Sequence, residues 1–195
     1  MYKVVGSRAS RVFRVLWMLE EIGAPYTHIP ASARSDEVKA INPSGKIPVL
    51  VIDDVTITDS VAIMTYLGDV YGVLTHSPGT LDRARQDALT LQILDEIDSA
   101  LWIAARHSFI LPVDKRIPEI KPAMKLDYAQ NLARLSEQFE GPFLMGDRLT
   151  IPDILLTHCL RWAEIAKFPE PNAKMADYKA RMEAREAYQK TAAME

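Results

Sequence analysis

Residues 41–50 read INPSGKIPVL, and VID follows. Ser44 and Gly45 mark a turn, and Val49-Leu50-Val51-Ile52 is an apolar run of buried-strand length. Pro48 stands where that strand begins, although it has no backbone N–H to give to a ladder. Its ring holds the preceding Ile47 in extended geometry. The stretch therefore reads as a loop entering a strand through a proline, and the elements on either side decide what that strand belongs to.

Upstream, Tyr2–Val5 is a short strand candidate, and Gly6-Ser7-Arg8-Ala9-Ser10 is a polar turn. A helical period starts at Arg11, with Val12, Val15, Leu16, Leu19 and Ile22 on one face and Gly23 fitting the C-cap. Tyr26–Ile29 is a second strand candidate. Ser35 followed by Asp36 and Glu37 predicts an N-cap and a short helix to about Ile41. Downstream, Val55–Thr58 follows Val49–Ile52 across Asp53-Asp54, close enough for a hairpin. Asp59-Ser60 then opens a helix with Ile63, Tyr66, Leu67, Val70 and Tyr71 as its expected stripe, ending at Gly72. The order βαβαββα predicts a parallel crossover plus an antiparallel hairpin, a mixed four-stranded sheet of thioredoxin-like layout.

After VLTHSPGT the strand signals vanish. Leu94, Ile97 and Leu101 share a face of a long helix ending near Pro112. Tyr128, Leu132, Leu135 and Phe139 mark another, and Ile154, Leu155, His158, Cys159, Trp162 and Ile165 a third. Ala173–Glu195 reads as a partly exposed helical tail. The expected organisation is an α/β thioredoxin-like domain over residues 1–75 and an all-α helical-bundle domain over 80–195.

The chain has 195 residues, 48% hydrophobic and 25% charged, with net charge −3. This composition suits a globular protein and argues against nucleic acid, whose phosphates need a concentrated basic face. One cysteine, Cys159, permits no internal disulfide, and it lies in an apolar stripe, so core packing is its expected role. No segment approaches a membrane span and the N-terminus has no signal-peptide core, so a cytoplasmic protein is expected. His28, His76 and His158 have no metal-ligand spacing, and no metal is expected. Thr150 and Asp153 have capping-box spacing with Pro152 in the first helical turn, a folding signal.

GSRASRVFRVLWMLEEIGAPY, NPSGKIPVL, TDS at 58–60 and GDRLTIPDI at 146–154, in that order and spacing, resemble the cytosolic glutathione transferase superfamily over essentially the whole chain. The resemblance implies a cis bond at Ile47-Pro48, with Ile47 offering its N–H and C=O to the cysteinyl residue of glutathione as an added strand would. Lys46 would lie near the peptide's negative charges. It implies that Ser60 takes the α-carboxylate of the γ-glutamyl group and Asp59 its ammonium, although many relatives carry Glu where Asp59 stands. Asp and Ser are equally ordinary helix caps, and a helix N-terminus suits both jobs.

A thiol of pKa about 8.5 must be deprotonated, and a hydroxyl or cation at a helix mouth lowers that value. The loop after the first strand carries no cysteine and no tyrosine, so the resemblance is to a serine-type enzyme. Ser10, matching the second serine of similar bacterial sequences, is the first choice and Ser7 the second, with Arg11 adding charge. Ser10 reads equally well as a plain helix cap. The absent CxxC disfavours disulfide exchange at this helix. Trp102, Arg106, His107 and Phe109 are candidates for the second-substrate pocket, and a packed tryptophan beside a solvated arginine is the plainer alternative.

The resemblance thus implies a detoxifying transferase that holds glutathione, its co-substrate, as thiolate and conjugates it to a small hydrophobic electrophile, in a homodimer. The alternative is a glutathione- or hydrophobic-ligand-binding protein of the same fold with little turnover. A third reading, a non-catalytic interaction protein, leaves Ile47-Pro48, Asp59 and Ser60 without a purpose.

Overall fold

The structure is a computed structural model and describes residues 1–139 and 141–194; Glu195, the end of the expected tail, lies outside them. Four strands form one sheet in the order β2-β1-β3-β4, with β1 Tyr2–Val5, β2 Tyr26–Ile29, β3 Val49–Ile52 and β4 Val55–Thr58. β1 runs parallel to β2 and antiparallel to β3, and β3 pairs antiparallel with β4. This is the mixed thioredoxin-like sheet that the order of strand and helix signals predicts.

Helix α1 spans Phe13–Ile22, α2 spans Asp36–Ile41 and α3 spans Ser60–Tyr71. The caps are made as the local chemistry dictates: the Ser35 side chain accepts from Val38 N–H, and Gly23 closes α1 at φ 72°. α1 begins two residues later than the apolar period suggests. Ser10 is extended (φ −120°, ψ −166°) and breaks the helical run, so Arg8–Val12 is a wide turn that delivers the chain into Phe13.

The α3 stripe is rotated from its expected position. Ile63 and Leu67 are buried, but they are joined by Met64 and Gly68, while Val70 and Tyr71 are 53% and 40% exposed. The sheet-facing arc of α3 is set by Ser60, Ile63, Met64, Leu67 and Gly68, which share one side at helical spacing. Val70 and Tyr71 fall in its last turn, beyond that arc.

The chain groups into two compact units, Met1–Pro78 together with the segment from Glu183 on, and Gly79–Met182. The C-terminal tail, read from the sequence as part of the helical half, is therefore divided. α8 (Ala173–Glu183) lies mostly in the second unit, and α9 (Glu186–Ala193) packs on α1 in the first. Tyr188 of α9, only 3% exposed, sets its ring against Phe13 and Trp17 at 5.1 and 5.0 Å. That is why α1 is buried nearly all round, with Trp17 and Met18 as inaccessible as Val15, Leu16 and Leu19.

In the second unit, α4 (Leu81–Ile93) runs on through a wide π-helical turn at Leu94–Asp98 into α5 (Ser99–Ala105), and a second such turn at Arg106–Ile110 ends the run before Pro112. α6 (Ile120–Gln138) buries Tyr128, Leu132 and Leu135, and α7 (Ile151–Ile165) buries Ile154, Leu155 and Cys159. His158 is half-buried and Ile165 is exposed, so the α7 stripe stops short of its predicted end. The capping box at Thr150 and Asp153 is formed, and the Asp153 carboxylate also accepts from Leu144 N–H and the Tyr178 hydroxyl at 2.8 and 2.9 Å. Among the described residues no helix is long and apolar enough to cross a membrane, and no group of three or more His, Cys, Asp or Glu could hold a metal ion.

Candidate functional site

Strand register brings three loops to one end of the sheet. Val5, the last residue of β1, pairs with Val49, the first of β3, and Val49 pairs with Thr58, the last of β4. The chain therefore leaves β1 as Gly6–Ser10, enters β3 as Lys46–Pro48, and leaves β4 as Asp59–Ser60, all side by side. All the sequence candidates of the first unit lie in these three loops except Arg11, which directly follows the first of them.

In the β3 loop the Ile47–Pro48 peptide is cis. The ladder begins only at Val49, so Ile47 lies outside it, and its backbone makes no hydrogen bond among the described residues. Its side chain packs against the buried cluster of Val5, Ala31, Val38 and Val49. Pro48 is buried and Lys46 exposed. Asn42 holds the loop in place: its amide donates to Lys46 O at 2.8 Å, its Oδ1 accepts from the Ser44 hydroxyl at 2.9 Å, and its own carbonyl accepts from Gly45 N–H. Sequence reasoning passed over Asn42. Its signal was there, since Asn at the head of a Pro-Ser-Gly turn is a residue whose side chain bonds its own following backbone.

The β1 loop turns on Gly6, at φ 133°. A Cβ there would sit 2.7 Å from Ile47 Cβ and 2.6 Å from Val12 Cγ2, so glycine is what lets the loop lie against Ile47. Ser10 caps the chain that follows: its hydroxyl donates to Ser7 O at 2.6 Å and accepts from Val12 N–H at 3.2 Å. The Ser7 hydroxyl makes no hydrogen bond among the described residues, and Ser7 opens on a cleft lined also by Arg8, Ala9, His28, Ala31 and Glu37. Arg8 is committed elsewhere, donating from Nη1 to Ala192 O at 2.8 Å in α9. Arg11 is half-buried beside them.

At the head of α3, Asp59 is the N-cap, and its Oδ1 accepts from Val61 and Ala62 N–H at 2.8 and 3.2 Å. Its backbone sits at φ 75°, ψ 129°, a region that residues other than glycine rarely occupy. Ser60 is only 2% exposed, and its Oγ accepts from Nη1 of Arg14 at 3.3 Å. Arg14, wholly buried on α1, is the other residue that the sequence reading missed. Periodicity treats a lone charge within an apolar run as noise, and its partner is 46 residues away.

The remaining four candidates lie in the second unit. Trp102 is half-buried on α5, Arg106 is exposed one turn on, and Phe109 is 66% exposed in the turn that follows. His107 Nδ1 accepts from Ile117 N–H at 3.0 Å.

Known proteins resemble this chain in sequence and in fold. The family described as "Glutathione S-transferase, N-terminal domain" matches residues 10–70. The chain is 30% identical over 138 residues to glutathione S-transferase GstA of Escherichia coli O157:H7, covering 68% of this chain and 64% of that protein, slightly under two thirds of its length. It is 29% identical over 161 residues to maleylacetoacetate isomerase of Rhizobium meliloti (strain 1021), covering 76% and 75% of the two. Its fold matches the crystal structure of the theta class glutathione S-transferase from the citrus canker pathogen Xanthomonas axonopodis pv. citri with glutathione bound, at TM-score 0.80 and 24% identity over 100% of this chain and 98% of that one. Fold and comparisons together define a protein with a thioredoxin-like sheet and a predominantly helical C-terminal region. The chain belongs to the cytosolic glutathione S-transferase superfamily.

Proposed function

We propose that this protein binds glutathione at the meeting point of the three loops and conjugates it, through its thiolate sulfur, to a small hydrophobic electrophile. The observation that carries this is the unpaired backbone of Ile47 just ahead of the ladder, with the head of α3 beside it. An extended peptide pairs with such a backbone by main-chain bonds alone. Its γ-glutamyl end then reaches Asp59 and Ser60, an acid and a hydroxyl suited to an ammonium and a carboxylate at a helix N-terminus. Lys46 supplies positive charge on the solvent side of the loop.

In this reading Ser7 is the hydroxyl that stabilises the thiolate. Ser10, first choice on sequence, uses its one proton on Ser7 O, while the Ser7 hydroxyl remains available. One donated hydrogen bond at a helix mouth lowers a thiol pKa, and catalysis is then that shift plus proximity. Trp102, Arg106, His107 and Phe109 stay as proposals for the electrophile's contacts. The electrophile itself, and a second copy of the chain as dimer partner, rest on the resemblance alone.

The test is a glutathione titration followed by thiolate absorbance in wild type, Ser7→Ala and Ser10→Ala. Binding with a lowered thiol pKa that Ser7→Ala abolishes supports the transferase. Binding with no lowered pKa leaves a glutathione-binding protein, and no binding removes both. The likeness to a maleylacetoacetate isomerase favours a second reading, isomerisation of a small organic acid with glutathione bound at the same site. It shares the thiolate and is separated by assaying isomerisation, in which glutathione is regenerated, against conjugation, in which it is consumed.

A further inference from the structure

The buried contact between α1 and the head of α3 has a donor–acceptor logic of its own. A guanidinium has five N–H donors and no acceptor, and stays charged at any pH a folded protein meets. In the bond from Arg14 Nη1 to Ser60 Oγ, Ser60 must therefore accept. That bond takes a lone pair and leaves the Ser60 proton to be given elsewhere. Among the described residues nothing takes it, nor the Ser60 backbone N–H, while the next two N–H groups of α3 are already satisfied by Asp59. Two donors thus share a residue that is 2% exposed, where unmet donors are costly and an acceptor is expected.

The charge points the same way. Arg14 is wholly buried and lies 3.3 Å from a hydroxyl at the positive end of a 12-residue helix. An anion placed there gains from both the guanidinium and the helix N-terminus. A cation bonded to the hydroxyl oxygen also makes its O–H a stronger donor.

We infer that Arg14 is a positioning residue for the anionic end of the ligand: it fixes Ser60 as a donor toward the α-carboxylate of a γ-glutamyl group without itself touching the ligand. This rests on the glutathione reading above and adds to it a residue that selects for the carboxylate.

The experiment is a cycle between protein and ligand. Wild type, Arg14→Gln and Arg14→Lys are titrated calorimetrically with glutathione and with its analogue in which the γ-glutamyl α-carboxylate is replaced by hydrogen. Arg14→Gln is expected to weaken glutathione about ten-fold and the analogue less than about two-fold. Arg14→Lys, which keeps charge and donors, is expected to recover part of the glutathione loss. Should Arg14→Gln fail to fold, the Arg14→Lys cycle carries the same comparison, with a smaller glutathione loss and none for the analogue. A merely structural Arg14 would lower both affinities alike, and that result overturns the inference, as does unchanged glutathione affinity in both variants. Wild type that binds glutathione and the analogue equally overturns it while leaving the glutathione reading intact. Wild type that binds neither overturns both.

Discussion

The hydroxyl of Ser10 donates to the carbonyl of Ser7 at 2.6 Å, and this one bond divides the work of the two serines. Ser10 also accepts from Val12 N–H, so it satisfies the chain on both sides of the turn. Losing it should cost about 1 kcal/mol, the usual value of a cap. Ser7→Ala removes no hydrogen bond within the described protein and should leave stability within about 0.5 kcal/mol. Ser10→Ala is thus expected to lower the melting temperature and keep most of the thiolate shift, and Ser7→Ala to do the reverse. Thermal melts beside thiolate titrations check this, and a lost shift in Ser10→Ala alone would return the role to Ser10.

Gly6→Ala tests whether the three loops act as one site. The new methyl would meet Ile47 Cβ at 2.7 Å on a backbone held at φ 133°. Overpacking of this kind costs about 1–3 kcal/mol, and here relief requires both Ile47 and Val12 to move. The expected result is lower stability together with reduced glutathione affinity. A destabilised variant with wild-type affinity would show that Ile47 is not the strand that pairs the peptide.

What was legible in the sequence was what is local. The strands Val49–Ile52 and Val55–Thr58, the Ser35 cap and the Thr150–Asp153 box each declare themselves within a few residues. The candidate site was legible in part, because Ile47, Asp59 and Ser60 sit at element ends that turn chemistry marks. Gly6 and Arg14 were not, since what constrains them is Ile47 and Ser60, 41 and 46 residues away. The division of the tail was equally hidden. An amphipathic helix shows that it has an apolar face, and Tyr188 could fill any aromatic gap; that the gap is beside Phe13 and Trp17 is a property of the fold.

Asp153 gives a pH prediction in the second unit. Burial raises its carboxyl above the ordinary 3.8, while bonds from Leu144 and Thr150 N–H and the Tyr178 and Thr150 hydroxyls pull the other way. A carboxyl raised in the folded state holds its proton more tightly there than in the unfolded chain. Its contribution is whole below 3.8 and is lost as pH rises through the folded value. Asp153→Asn has no such titration. It is expected to be less stable throughout, since an amide NH₂ replaces one acceptor among four donors. Its deficit against wild type should be greatest in acid and narrow as pH rises. Urea unfolding at a series of pH values checks this, and a deficit that widens with pH would mean that the ionised form is the favoured one.

Tyr188 shows what α9 does for the first unit. Its ring is 3% exposed and closes an edge-to-face triad with Phe13 and Trp17, whose own centroids lie 6.3 Å apart. Truncating a buried aromatic costs about 3–5 kcal/mol, so Tyr188→Ala should lower the melting temperature by about 10 °C. Tyr188→Phe keeps the ring and removes the hydroxyl that donates to Glu183 Oε1 at 2.9 Å, a loss of about 1 kcal/mol or less. Because α1 carries Trp17 and the Ser7–Ser10 turn leads into it, Tyr188→Ala should also redden Trp17 emission as water reaches the indole. Equal melting temperatures for the alanine and phenylalanine variants would mean that the hydroxyl, rather than the ring triad, is what holds α9 to α1.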